Sequence, residues 1–358
     1  MAAQTIIPLF ANNSNMAGPS PCSRLLYTII PSPYTPRTLR DLLRAWVDDL
    51  NKLATNWWDL KGSFKRLRPE DVNPEPYKRD HRSPLRDLLF LRGDAKYIRI
   101  DPAHTFAIDG VGKSYYASAV VLLMMMGWFG GSNHDERFKN AYSRFMAFCA
   151  AHGKSTSIHD FSFKTFKLPV GSLRAYPRGL GKGHDAAILG SWLDQELQQI
   201  DVALVAPEFR DMIAVLKWSC AAINRFWRAI YGNGIWLHRT VAAQIVQDGW
   251  AWIDGYCTLA ALTSKAGILG FQLRPKLHMM GHLLLDLQYD MAKGAEYLIN
   301  ASVHSTWTDE DFIGRISRIS RRTHVLSAAR NTLLRALGFY RRQFGNFFDP
   351  AYLHNSDS

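Results

Sequence analysis

What this chain has little of constrains it first. Four cysteines are spread over 358 residues, at Cys22, Cys149, Cys220 and Cys257, and no two stand in C-x-x-C spacing. That argues against a cysteine-built zinc ribbon and a dense disulfide framework, and fits a reducing, intracellular setting, nuclear or cytoplasmic. Long apolar runs are also missing. The longest, Ala117–Phe129, is too short to span a bilayer comfortably and stands close to Lys113, so no membrane association is expected. No basic region precedes an apolar core at the N-terminus, so no secretory signal is expected either. Negative charge is scarce beside positive: 31 Asp and Glu against 43 Lys and Arg give a net charge of +12 and a pI near 9.6. Such a balance attracts polyanions, and nucleic acid is the first partner to consider. Simple solubility and docking to an acidic protein are the plain alternatives.

What is present is material for a core. Hydrophobic residues make up 47% of the chain and aromatics 12%, which argues against global disorder. Residues 1–36, rich in Ala, Asn, Ser and Pro, read as a flexible leader. Leu39, Leu42, Leu43, Trp46, Val47, Leu50 and Leu53 recur at helical spacing and predict an amphipathic helix over about 37–60. A basic connector with four prolines follows to residue 84. Short strands are predicted at Leu88–Leu91, Tyr97–Ile100 and Thr105–Ile108. Helical periodicity then dominates, over about 114–128, 133–152, 185–202, 207–231, 236–263, 276–293 and 309–344. The fold class expected is mainly α with a small β-sheet. Residues 85–348 form the core region and 349–358 a tail.

Between the helices, residues 153–184 form a long irregular loop. Its Pro177–His184 piece is basic and glycine-rich, which makes a phosphate cradle conceivable, but it lacks the G-x-x-x-x-G-K-[ST] order of a P-loop and reads as a flexible surface loop instead.

Four places could carry chemistry. Asp101 ends a β-branched run and has His104 three residues on, where α/β enzymes often put a metal-binding carboxylate; it equally suits a turn ahead of Pro102. Asp309, Glu310 and Asp311 stand just before a basic helix. They suit metal chemistry, or the capping of a helix that Thr308 begins. His278 and His282, at i and i+4, share a helix face and with a third ligand could hold zinc, but no glutamate follows His278 as in a zinc protease. Finally, Arg315, Arg318, Arg321, Arg322, Arg330, Arg335, Arg341 and Arg342 lie between Phe312 and Phe348 without one acidic residue. A solvated helix face normally mixes both signs, so this bias points to an anionic partner.

Three of these pieces, in order, resemble a family. The Asp-Pro-x-His…Gly-Val-x-Lys segment at 101–113 resembles the block around the second catalytic aspartate of CACTA-type and Kyakuja–Dileera–Zisupton-type DNA transposases. Pro275-Lys276-Leu277-His278 with His282 is similar to a Lys-Pro-Lys-x-His helix late in those proteins, and 309–312 falls where their last catalytic glutamate comes. The resemblance implies an RNase H-like core with a large helical insertion. It makes Asp101 and Glu310 metal ligands for Mg²⁺ or Mn²⁺, His104 their companion, and DNA the partner. Lys276, His278, Arg315, Arg318, Arg321, Arg322 and Arg330 would meet nucleic acid. No strand-centred aspartate precedes Asp101 at the family's usual distance, Asp87 and Asp94 being close by, so the resemblance implies a truncated or degenerate descendant. An active one would cleave or transfer DNA strands. The alternative is a non-enzymatic helical scaffold that binds nucleic acid or an acidic protein through its Arg-rich C-terminal helix.

Overall fold

An apolar helix that cannot hide one face must be wrapped on all sides, and this dictates the middle of the molecule. The computed structural model describes residues 2–6, 25–30, 44, 99–324 and 327–347. Helix α1 (Val111–Met125) is buried along nearly its whole length. Tyr115 and Tyr116 project from it into a cluster with Phe106, Trp252, Tyr256 and Phe271, all of them buried. Around it run α2 (His134–Ala151), α3 (Asp185–Gln198), α4 (Pro207–Gly232), α5 (Arg239–Lys265) and α6 (Pro275–Ala292). Helices α4 and α5 form a long hairpin, with α3 against α4 and α6 against α5. Pro207 and Pro275 open α4 and α6, where a missing N–H costs no helical bond.

Two short antiparallel ribbons are the β-structure among the described residues. β1 (Ala2–Ile6) pairs with β2 (Leu25–Ile30) from Ala2↔Ile30 to Ile6↔Leu25, with a shift in register between Gln4 and Thr5. β3 (Trp236–His238) pairs with β4 (Tyr297–Ile299), so Trp236 faces Ile299 across the ribbon and Leu237 is buried beside Leu298. Asn300 locks this ribbon to the end of α4. It is fully buried, and its amide nitrogen lies 2.7 Å from the Ile230 carbonyl, 2.9 Å from that of Gly234 and 3.3 Å from that of Asn233.

The chain divides into two compact units, a central one over Ile100–Thr306 and a flanking one made of Met1–Arg99 and Trp307–Ser358. The flanking unit contains β1 and β2, in the stretch read from sequence as a flexible leader, and helices α7 (Trp307–Ser320) and α8 (Ala328–Phe347). The mainly helical expectation holds. The strand predicted at Thr105–Ile108 does not: Ala103–Ala107 is a π-helical turn, and Arg99 and Ile100 are not strand either. A local turn overrides the β-propensity of Thr105 here: its amide and hydroxyl both donate to the Asp101 carbonyl four residues back, at 3.1 and 2.7 Å, and wind the chain back. The predicted strand at 88–91 lies outside the described residues, as does the predicted helix at 37–60 apart from Arg44, which is helical and exposed. The single helix expected over 309–344 is two, α7 and α8.

Candidate functional site

The Asp101 block folds around its own carboxylate. Oδ1 accepts the backbone N–H of Ala103 at 2.8 Å and that of Thr306 at 3.2 Å. Oδ2 accepts the Thr306 hydroxyl at 2.5 Å and the Nδ1 proton of His104 at 2.5 Å. An ionised carboxylate can only accept, so Nδ1 is the protonated nitrogen of His104 on this side; it also lies 3.0 Å from Thr306 Oγ1. Burial alone would raise the Asp101 carboxyl, but the Thr306 hydroxyl, His104 and the amides of Ala103 and Thr306 together hold it below its ordinary value of 3.8. Asp101 and Thr306 stand at the two ends of the central unit, so this network is a clasp that closes it.

Next to the clasp, the glycines of Asp109-Gly110-Val111-Gly112-Lys113 have a packing reason. A Cβ on Gly112 would come within 2.6 Å of the Phe106 ring, and one on Gly110 within 2.3 Å of the Phe106 backbone. Only bare backbone lets α1 start this close to the π-turn. Lys276, at the start of α6, then ties the block down: its ammonium donates to the His104 and Asp109 carbonyls, both at 2.9 Å. The 101–113 and 275–282 motifs, more than 160 residues apart in sequence, therefore meet through this one side chain.

His278 and His282 are exposed on α6 with their Nε2 atoms 2.9 Å apart. At that distance the two imidazoles hydrogen-bond to one another, one Nε2 donating its proton to the other. Among the described residues no group of three His, Cys, Asp or Glu side chains converges as a metal cage.

Asp101 itself does not fit a hard cation in this arrangement. Mg²⁺ and Mn²⁺ take free carboxylate lone pairs, and each Asp101 oxygen already accepts two donors, one of them on each oxygen coming from Thr306. Glu310 belongs to the flanking unit, where it is exposed in the first turn of α7 with Asp309. Acidic residues there complement the helix dipole. Asp311 pairs with Arg315 one turn on, at 2.8 Å. Of the arginines singled out from sequence, Arg318, Arg321, Arg322 and Arg330 are exposed. Arg321 reaches Ser317 Oγ, and none of the four has a carboxylate partner among the described residues.

Three buried carboxylates were not singled out from sequence: Asp248, which pairs with Arg225 at 2.7 Å, and the two that follow. Asp185 is fully buried and accepts Thr156 Oγ1 at 2.7 Å, Ser157 N at 2.9 Å, Ser157 Oγ at 2.5 Å and Lys182 N at 2.6 Å. Burial opposes its charge, yet the Ser157 and Thr156 hydroxyls and the Ser157 and Lys182 amides hold it below 3.8. The Lys182 amide therefore points at a protein carboxylate, which is the opposite of a phosphate cradle at 177–184. Glu196, 4% exposed, accepts the indole N–H groups of Trp128 at 2.9 Å and Trp192 at 3.1 Å, and pairs with Arg144 at 2.6 Å. The sequence signal was present for Glu196 and Asp185, a carboxylate inside an aromatic helix or beside a Gly-Lys-Gly turn, but the donors are distant in the chain.

In comparisons with known proteins, no family model, no curated protein and no solved structure matches this chain. Among the described residues no helix is long and apolar enough to cross a membrane.

Proposed function

We propose that this chain is a transposase-derived nucleic-acid-binding protein that holds phosphate backbones through the arginines of α7 and α8. One observation carries the reading: the flanking unit holds 24 Lys and Arg against 15 Asp and Glu, and its described helices expose Arg318, Arg321, Arg322, Arg330 and Arg335 on a stretch that, after Asp311, has no acidic residue up to Phe348. The central unit, with 19 against 16, is close to balanced. Arginine forks suit phosphate oxygens, and such contacts position a protein without reading bases. The transposase lineage rests on the sequence motifs, supported by the contact of the 101–113 block with Lys276.

Strand cleavage is not part of this reading, because Asp101 serves the clasp. Supercoiled DNA incubated with the protein and Mg²⁺ or Mn²⁺ is expected to stay intact. Nicking that a folded Asp101→Asn variant lacks would restore Asp101 as a metal ligand. Binding is tested on a duplex by anisotropy over a salt series. Each phosphate that a cation neutralises adds about 0.9 to the log–log salt slope. Arg318→Gln, Arg322→Gln and Arg330→Gln combined should therefore flatten that slope by about two to three units. An unchanged slope in a folded triple variant removes these helices from the interface. Arg315 is left out of the set because Asp311 already neutralises it.

A further inference from the structure

The loop between α2 and α3 is built, not slack. Ile158, Phe161, Phe163, Phe166, Leu168 and Leu180 are all buried in it. Phe166 stacks on Phe138 with ring centres 5.0 Å apart, and Phe161 on Phe145 at 5.5 Å. Asp185 holds residues 156–157 and 182 together as described above, the Arg178 amide donates to the Phe166 carbonyl at 3.0 Å, and Lys113 donates to the Gly181 carbonyl at 2.8 Å. An irregular segment of this length that is nevertheless ordered by its own aromatic side chains is where binding surfaces are commonly carried.

Its surface is predominantly positive. Lys154, Lys164, Lys167, Arg174, Arg178 and Lys182 are all exposed, and among the described residues none makes a side-chain hydrogen bond or ion pair. The segment 153–184 has one acidic residue, Asp160, which accepts the Thr165 hydroxyl. The remainder of the central unit has 13 Lys and Arg against 15 Asp and Glu, so the positive excess of that unit resides in this loop. A solvated face normally carries both signs, so a run of exposed cations without carboxylate partners among the described residues suits an anionic partner. The pairing of Arg178 with Phe166 sets Lys167 alongside Gly179, so the two limbs of the loop, each with its cations, run side by side there.

We propose that the loop 153–184 is a second nucleic-acid surface, on the central unit, that holds the phosphate backbone without reading sequence. This rests on the nucleic-acid reading above, and adds a site that the arginines of α7 and α8 do not include. The test uses the full chain and a 20-base-pair duplex, read by anisotropy between 50 and 200 mM salt. Lys164→Gln, Lys167→Gln and Arg178→Gln combined should weaken binding by about ten-fold or more at 50 mM salt and flatten the slope by about two to three units. A second set, Lys154→Gln, Arg174→Gln and Lys182→Gln, should do the same and guards against a folding defect in the first. These positions are exposed, so thermal unfolding should hardly move. If both loop sets bind like wild type while the α7–α8 triple does not, the loop surface is refuted and the proposed function stands. If wild type does not bind the duplex, both fall. If the loop sets lose binding to polyglutamate and keep it to DNA, the occupant is an acidic protein and the inference is overturned.

Discussion

Asp101 shows how far a residue's neighbours in sequence can describe it. His104, three positions on, was legible as its companion, and the two are in contact. Thr306 was not, because no periodicity links positions 205 apart, and it is Thr306 that turns a candidate metal ligand into a clasp. The clasp makes a sharp demand. Thr306→Val keeps the volume and removes a hydroxyl from a charged acceptor, so it should lower stability by about 1.5–3 kcal/mol, read as a drop in Tm, whereas Thr306→Ser should recover most of it. A loss in Thr306→Ser with none in Thr306→Val would mean that the methyl group, not the hydroxyl, matters. Gly112 gives a second residue-scale prediction. With the Phe106 ring buried and 2.6 Å from an added Cβ, Gly112→Ala should cost about 1–3 kcal/mol despite the better helix propensity of alanine. A neutral or stabilising result would show that the π-turn can retreat.

At the scale of elements the helices were the readable part. Periodicity over 133–152 and 207–231 matches α2 and α4 to within a residue or two, because both bury one face and their apolar spacing records it. Three things escaped. Residues 236–238 look like the start of α5 and instead pair with β4, since Leu237 finds burial beside Leu298 and strand partners lie outside any local window. The break after Ser320 is local: the Thr323 hydroxyl returns to the Ser320 carbonyl at 2.6 Å, and Asn331 reaches Ser327 Oγ at 2.8 Å in the first turn of α8. The loop before α3 was read as a plain irregular segment because its phenylalanines follow no period; its order comes from rings on α2 and α3. Asn300 offers the test at this scale. Asn300→Ala leaves the Ile230, Asn233 and Gly234 carbonyls without their shared donor, and should cost about 1–3 kcal/mol with the loss showing first as faster amide exchange in β3 and β4. Exchange that accelerates uniformly over α1 to α6 instead would mean that Asn300 holds the whole unit and not the ribbon.

For the whole molecule, the composition announced a positive protein but not where the charge resides, and the division of the chain shows why. The excess is shared between the flanking unit, whose two segments are more than 200 residues apart in sequence, and one loop of the central unit. No window along the chain could join them. The central unit is in turn held by carboxylates that accept several hydrogen bonds, and this fixes how the protein should respond to acid. Asp101 and Asp185 both have folded values depressed below 3.8, each by donors that act on the charged form. A depressed carboxylate binds its proton more weakly in the folded state than in the unfolded one, so its stabilisation is fully present above the unfolded value of about 3.9 and is lost as pH falls through the folded value. Stability should therefore be level from neutral pH down to about 5, then fall steeply below about 4, with proton uptake on unfolding. Asp185→Asn removes the titrating group while presenting an amide N–H to donors that need an acceptor. Its Tm should be several degrees lower than wild type at pH 7, and the gap should narrow toward pH 3 as wild type loses what the variant never had. A gap of the same size at both pH values would mean that Asp185 stabilises the loop by shape alone and that its charge contributes nothing.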